Sequence, residues 1–261
     1  PGGVAVAVRP LLAAGRGKVN QAMKLLELTL PTPAENLALD EALLDEAEAT
    51  NDTAGVLRIW ESPQTMVVIG RSSKFSEEVD LPACQALGIP ALRRVSGGAA
   101  IVAGPGCLMY AVVLSYERFP QLRLIDEAHQ FVLGRLQAGL KILAPGAEIA
   151  GISDLAIHGR KFSGNSLRCK RSHLLYHGTL LYDFPLEIVQ QVLRTPPRQP
   201  DYRSGRTHAD FVMNLPAFRD ELTSAIIRAW DCGESLAHWP QAQTARLVAE
   251  KYSHRDWHQR L

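Results

Sequence analysis

What this chain lacks narrows it first. It has no run of about 18 apolar residues, so no membrane-spanning helix is expected. Neither charge sign dominates: Lys and Arg number 28, Asp and Glu 27. No nucleic-acid or membrane partner is therefore indicated, and any anionic ligand must be held by a local site. Cysteine is sparse. Cys84, Cys107, Cys169 and Cys232 form no C-x-x-C pair and no zinc-like spacing, and they are too few for a disulfide framework. A reducing, cytoplasmic compartment is expected. There is no G-x-x-x-x-G-K-[ST] phosphate loop, no G-x-G-x-x-G after a strand, no G-x-S-x-G and no H-E-x-x-H. Internal repeats and low-complexity tracts are absent too.

What is present fits one globular domain preceded by an extension. Residues 1–22 are rich in Gly, Ala, Val and Arg, with no acid before Glu27, and Arg9 and Pro10 interrupt the apolar run that a secretory leader needs. They read as a disordered extension, and residues 23–261 as the domain. Strands are expected at Leu25–Leu30, Val56–Trp60, Thr65–Ile69, Ala91–Val95, Ala99–Val102, Asp154–Ile157, Lys161–Ser163 and His173–Tyr182. Leu108–Leu114, apolar throughout, reads as a buried strand. Thr32-Pro33-Ala34-Glu35 reads as a capping box opening a helix to about Ala49. Further helices are expected after Asp80 and at Ile125–Leu143, Pro185–Leu193, Pro216–Ala229 and Gln241–Tyr252. Thr195–Thr207 is the longest irregular stretch. Hairpins mixed with flanking helices suggest an α+β fold with a mainly antiparallel mixed sheet.

Three segments could carry chemistry. Arg93-Arg94-Val95-Ser96-Gly97-Gly98-Ala99-Ala100 sets two arginines before a glycine turn, where backbone N–H groups can approach an anion. The alternative is a surface turn with solvated charges. In Gly151–Ser166 a His158-Gly159 turn places Asp154 and Lys161 on neighbouring strands. They could hold Mg²⁺ and a phosphate, or form a cross-strand ion pair. His177-Gly178-Thr179-Leu180-Leu181 begins a buried strand, in which His177 is either a hydrogen-bonded structural residue or a catalyst.

Taken in this order, the three segments resemble the lipoate-protein ligase A family of the biotin/lipoate ligase superfamily. Asn36–Leu44, Val67–Arg71 and Lys251–Trp257 resemble the first helix, the strand and turn before the arginine loop, and the end of the large domain. The resemblance covers about residues 25–261. It implies a class II synthetase-like, biotin/lipoate ligase fold. The activity implied is attachment of lipoate or octanoate to a carrier lysine through an acyl-adenylate made from ATP and Mg²⁺. Lys161 matches the catalytic lysine, and Asp154 the acid near nucleotide and metal. Gly70, Arg71, Arg94, Ser96, Gly97, Gly98, Ser163, Gly164, His177 and Gly178 match binding positions. Implied partners are lipoyl domains of dehydrogenase complexes, the glycine-cleavage carrier and a separate accessory polypeptide, since many ligases continue into a small domain beyond the point where this sequence stops. The chain departs from the family pattern at Ala99, Val102–Gly104, Cys107 and Ser153. Two rivals stay open: an ATP-independent octanoyl or lipoyl transferase with Cys169 or Cys107 as nucleophile, and a non-catalytic lipoate-binding module.

Overall fold

The computed structural model describes residues 22–259; the disordered extension expected over residues 1–22 falls almost wholly outside them. Among the described residues eleven strands are formed: β1 Met23–Glu27, β2 Val56–Glu61, β3 Met66–Ile69, β4 Ala91–Arg93, β5 Ile101–Ala103, β6 Cys107–Ser115, β7 Glu148–Ala150, β8 Asp154–Ile157, β9 Arg160–Cys169, β10 His173–Leu181 and β11 Cys232–Ser235. Eight of them make one mixed sheet in the order β11-β1-β2-β6-β10-β9-β8-β7, and β4-β3-β5 make a second. In the large sheet β1 runs parallel to β2 and β11, and every other pair is antiparallel. Among the described residues no helix is long and apolar enough to cross a membrane.

The period of two along β6 sorts its side chains. Leu108, Tyr110, Val112 and Leu114 face a core shared with Val132, Leu133 and Leu136 of the Ile125–Gly139 helix. Ala111 and Val113 face the other way, against Leu39, Leu43 and Ala47 of the Pro33–Thr50 helix. Both faces are covered, which explains why this strand has no polar alternation. The Pro33–Thr50 helix starts as the capping box dictates: Thr32 Oγ1 accepts from Glu35 N, and Glu35 accepts from Thr32 N.

Several expectations needed correction. The β1 strand stops at Glu27 rather than Leu30, because Asn36 captures the Leu30 N–H and carbonyl with its own side chain. The Ile125 helix stops at Gly139 instead of Leu143. Gly139 lies at a close helix crossing, where a Cβ would sit 2.6 Å from Ala229 Cβ. The helix from Gln241 is regular only to Leu247 and then widens into a π-helical turn, Val248–Tyr252. Strand β11, Cys-Gly-Glu-Ser, carries no apolar pattern and exists because β1 offers it a parallel edge. The irregular Thr195–Thr207 stretch does hold one 3₁₀ turn, Asp201–Arg203, closed by left-handed Ser204 and Gly205.

Candidate functional site

The three motif segments converge on one cavity of about 600 Å³. Strand β10 lies at its centre, with β9 and β8 on one side and the loop between β4 and β5 across from them. Between β8 and β9 the chain turns at His158 (φ 50°) and Gly159 (φ 70°), the pair of positive values a tight hairpin needs. Register pairs Lys161 with Ala156 and Asp154 with Gly164. The lysine chain folds back over Gly164, where an added Cβ would come within 2.8 Å of its Nζ. Lys161 Nζ thus donates to Asp154 Oδ1 at 2.7 Å. The other carboxylate oxygen, Oδ2, accepts from Tyr202 Oη at 2.8 Å.

The loop opposite is set by its two arginines. Arg93 is fully buried and donates to the carbonyls of Gly70, Ser73 and His258. Arg94 donates to the carbonyls of Val68, Gly97 and Ala99 and to Ser96 Oγ. Burial lowers the Arg94 pKa to about 10, against the opposing pull of Glu78. Arg94 lines the cavity, but its donors are committed to the β3 carbonyl of Val68, to Ser96 and to the Gly97 and Ala99 carbonyls, so its work here is to shape the loop. Gly70 acts from beneath: a Cβ there would meet Gly98 O at 1.8 Å. Gly98, at φ +83°, brings bare backbone to the cavity wall.

Behind the wall runs a buried polar chain. His177 Nε2 lies 2.5 Å from Ser96 Oγ, and its Nδ1 lies 3.2 Å from Asp40 Oδ2. Asp40 Oδ1 accepts from Arg58 Nη1 at 2.6 Å, and Arg58 also donates to Asn36 Oδ1 and the Leu28 carbonyl. Asp40 and Arg58 are buried, so the pair is desolvated and satisfied on both sides.

Of the residues expected at the site, Arg94, Gly98, Asp154, Lys161, Gly164, His177 and Gly178 line the large cavity. Ser163 lines a second cavity of about 140 Å³ that shares Lys161, Asp154 and Ala99–Ile101 with the first. Gly70, Arg71, Ser96 and Gly97 border neither; they build the loop, Arg71 through a bond from its N–H to the Ser96 carbonyl. The two candidate nucleophiles are not brought to either cavity. Cys107 is buried, and burial, with Glu61, pushes its thiol up to about 12. Cys169 sits eight residues along β9 from Lys161, roughly 26 Å away at strand rise. Sequence reasoning did not single out Asp40, Arg58, Asn165 or Tyr202. Two carried a signal: Arg58 is a charge inside the apolar strand Val-Leu-Arg-Ile-Trp, and Asp40 an acid in the buried helix stretch Asn36–Leu44. A buried charge needs a partner, and each is the other's.

The β-sheet platform carries a Gly–Gly loop, a lysine hairpin and a cavity of about 600 Å³, and the relatives of this chain make it an enzyme of the ligase or acyltransferase kind. The chain belongs to the lipoyl protein ligase A/B catalytic domain family, whose model matches residues 32–228. It is 28% identical over 256 residues to the octanoyltransferase LipM of Carboxydothermus hydrogenoformans, covering 86% of this chain and 93% of that one. It is 29% identical over 231 residues to a putative lipoate-protein ligase A of Aeropyrum pernix, covering 88% and 78%. The fold matches that of the bipartite lipoate protein ligase of Thermoplasma acidophilum, with TM-score 0.78, 24% identity and coverage of 92% and 96%. A lipoate-protein ligase A crystallised with ATP matches at TM-score 0.74 and 25% identity, covering 91% and 98%.

Proposed function

We propose that this enzyme activates lipoate or octanoate with ATP and transfers the acyl group to a lysine of a lipoyl domain. The observation that carries the reading is the position of Lys161. Lys161 lines both cavities, together with Asp154 and Ala99–Ile101, and its ammonium is held by Asp154. The larger cavity has an apolar flank of Leu37, Val68 and Met109, which suits an aliphatic chain at roughly 0.8 kcal/mol per buried CH₂. The smaller one offers room for part of a nucleotide. A carboxylate placed beside that ammonium would exchange Asp154 for itself as the partner of Lys161. Attack on the α-phosphorus then builds negative charge beside that ammonium, which a preorganised cation stabilises.

Magnesium would arrive on the nucleotide. Among the described residues Asp154 is the one carboxylate lining both cavities, and no group of three His, Cys, Asp or Glu able to hold a metal occurs. That donor set suits an ion held mostly by phosphate oxygens and water, whose role is to neutralise phosphate charge. Carriers are lipoyl domains of dehydrogenase complexes and the glycine-cleavage carrier, with an accessory polypeptide as a further partner.

The similarity to LipM favours a second reading, octanoyl transfer without ATP. Against it stands the placement of Cys107 and Cys169 away from both cavities. The test is pyrophosphate release from ATP on addition of octanoate or lipoate. Release that depends on the free acid supports the ligase. Its absence, with acyl transfer from an octanoyl thioester, supports the transferase, and binding of lipoate without either leaves a binding module.

A further inference from the structure

We infer that His177 is the base that accepts the proton of the incoming lysine in the transfer step, and that Asp40 is its positioning residue; this rests on the ligase reading. The Asp40 carboxylate, paired with Arg58, can only accept, so the ring proton sits on His177 Nδ1. Nε2 therefore presents a lone pair. At rest that lone pair accepts the Ser96 hydroxyl, whose oxygen in turn accepts from Arg94 Nε at 3.1 Å. This is the arrangement in which a carboxylate orients an imidazole for proton transfer beside a hydroxyl.

Elimination leads to the same residue. Among the described residues lining the larger cavity, the side chains of a type able to act as a general base are Asp154, Asp201 and His177. Both oxygens of Asp154 are engaged, by Lys161 and Tyr202. Asp201 is exposed to solvent. Lys161 donates to Asp154 and offers no lone pair. His177 alone combines a place in the wall with an acceptor nitrogen fixed from behind. Ser96 is buried and borders neither cavity, so Nε2 opens to the amine only once the Ser96 hydroxyl turns aside.

The step balances. The lysine nitrogen attacks the acyl carbon of the mixed anhydride, and the C–N bond forms. The bond from that carbon to the phosphate oxygen breaks, and the nucleotide leaves with the electron pair. The proton lost by nitrogen passes to Nε2, and later to water. The imidazolium faces Asp40 and Arg58 behind it, Arg94 through Ser96, and Lys161 with Asp154 across the cavity.

The test separates the half-reactions. Purified enzyme is assayed for pyrophosphate release, and separately fed synthetic octanoyl-adenylate and a lipoyl domain, with transfer followed by mass across a pH series. In His177→Gln, where the amide still reaches Ser96, transfer is expected to fall about 100-fold more than adenylate formation, and the acidic limb of the transfer profile should vanish. Asp40→Asn, which favours the other ring tautomer, is expected to lower transfer at least about tenfold. Equal losses in both half-reactions, or an acidic limb that survives in His177→Gln, would overturn the proposal. A wild type that makes no adenylate from ATP overturns the ligase reading alone, because the transfer arm is supplied with adenylate and still decides the role of His177.

Discussion

At the scale of single residues, Lys161 is the group whose removal should matter most for activity and least for folding. It is partly exposed, and among the described residues its ion pair is with Asp154, which keeps Tyr202 as a partner. Lys161→Ala is expected to keep its circular dichroism and melting temperature while pyrophosphate release falls by about 10²–10³. Arg58 should behave in the opposite way. It is fully buried and bonded to Asp40, Asn36 and Leu28, so Arg58→Met leaves the buried Asp40 without its cation, with His177 as its remaining partner. A loss of about 3–5 kcal/mol in denaturant unfolding is expected. The motif residues were legible because chemistry constrains their type and order. Asp40 and Arg58 were harder to see, because their pairing spans 18 positions and depends on which helix covers which sheet face.

At the scale of elements, the Gly–Gly loop is held by what lies under it. Gly70 allows β3 to turn directly beneath Gly98, and a methyl group there would collide with the Gly98 carbonyl at 1.8 Å. Backbone cannot yield as a flexible side chain can. Gly70→Ala is therefore expected to displace the loop and raise the apparent KM for acyl substrate by tenfold or more with the fold intact, as read by steady-state kinetics beside circular dichroism. Elements were legible where local signals were strong: the capping box at Thr32, the His158-Gly159 turn, the apolar run of β6. Others were set by tertiary contact. The β9 strand runs to Cys169, far past Ser163, because β10 pairs with it as far as Leu174. Strand β3 follows β2 after a short turn yet joins a different sheet, since β4 and β5 supply its partners.

At the scale of the whole molecule, the Pro33–Thr50 helix is also tied to the sheet at the turn between β9 and β10. Glu48, at the end of the Pro33–Thr50 helix, accepts from the N–H and hydroxyl of Ser172 and contacts His173. Burial raises its pKa, but these hydrogen bonds and His173 outweigh it, and the carboxyl is held below its usual range. A carboxyl depressed in the folded state stabilises above its unfolded value and loses that contribution as pH falls through the folded one. The stability gap between wild type and Glu48→Gln should therefore be present at neutral pH and close in acid, measured by thermal unfolding across pH. The remaining question is what the assembled site does with an acyl chain. The most direct measurement is intact mass of a lipoyl domain incubated with the enzyme, in parallel with octanoate plus ATP and with an octanoyl thioester lacking ATP. An octanoyl mass gain in the ATP arm that disappears in Lys161→Ala is the expected result. A gain confined to the thioester arm, with none from octanoate and ATP, would contradict the account.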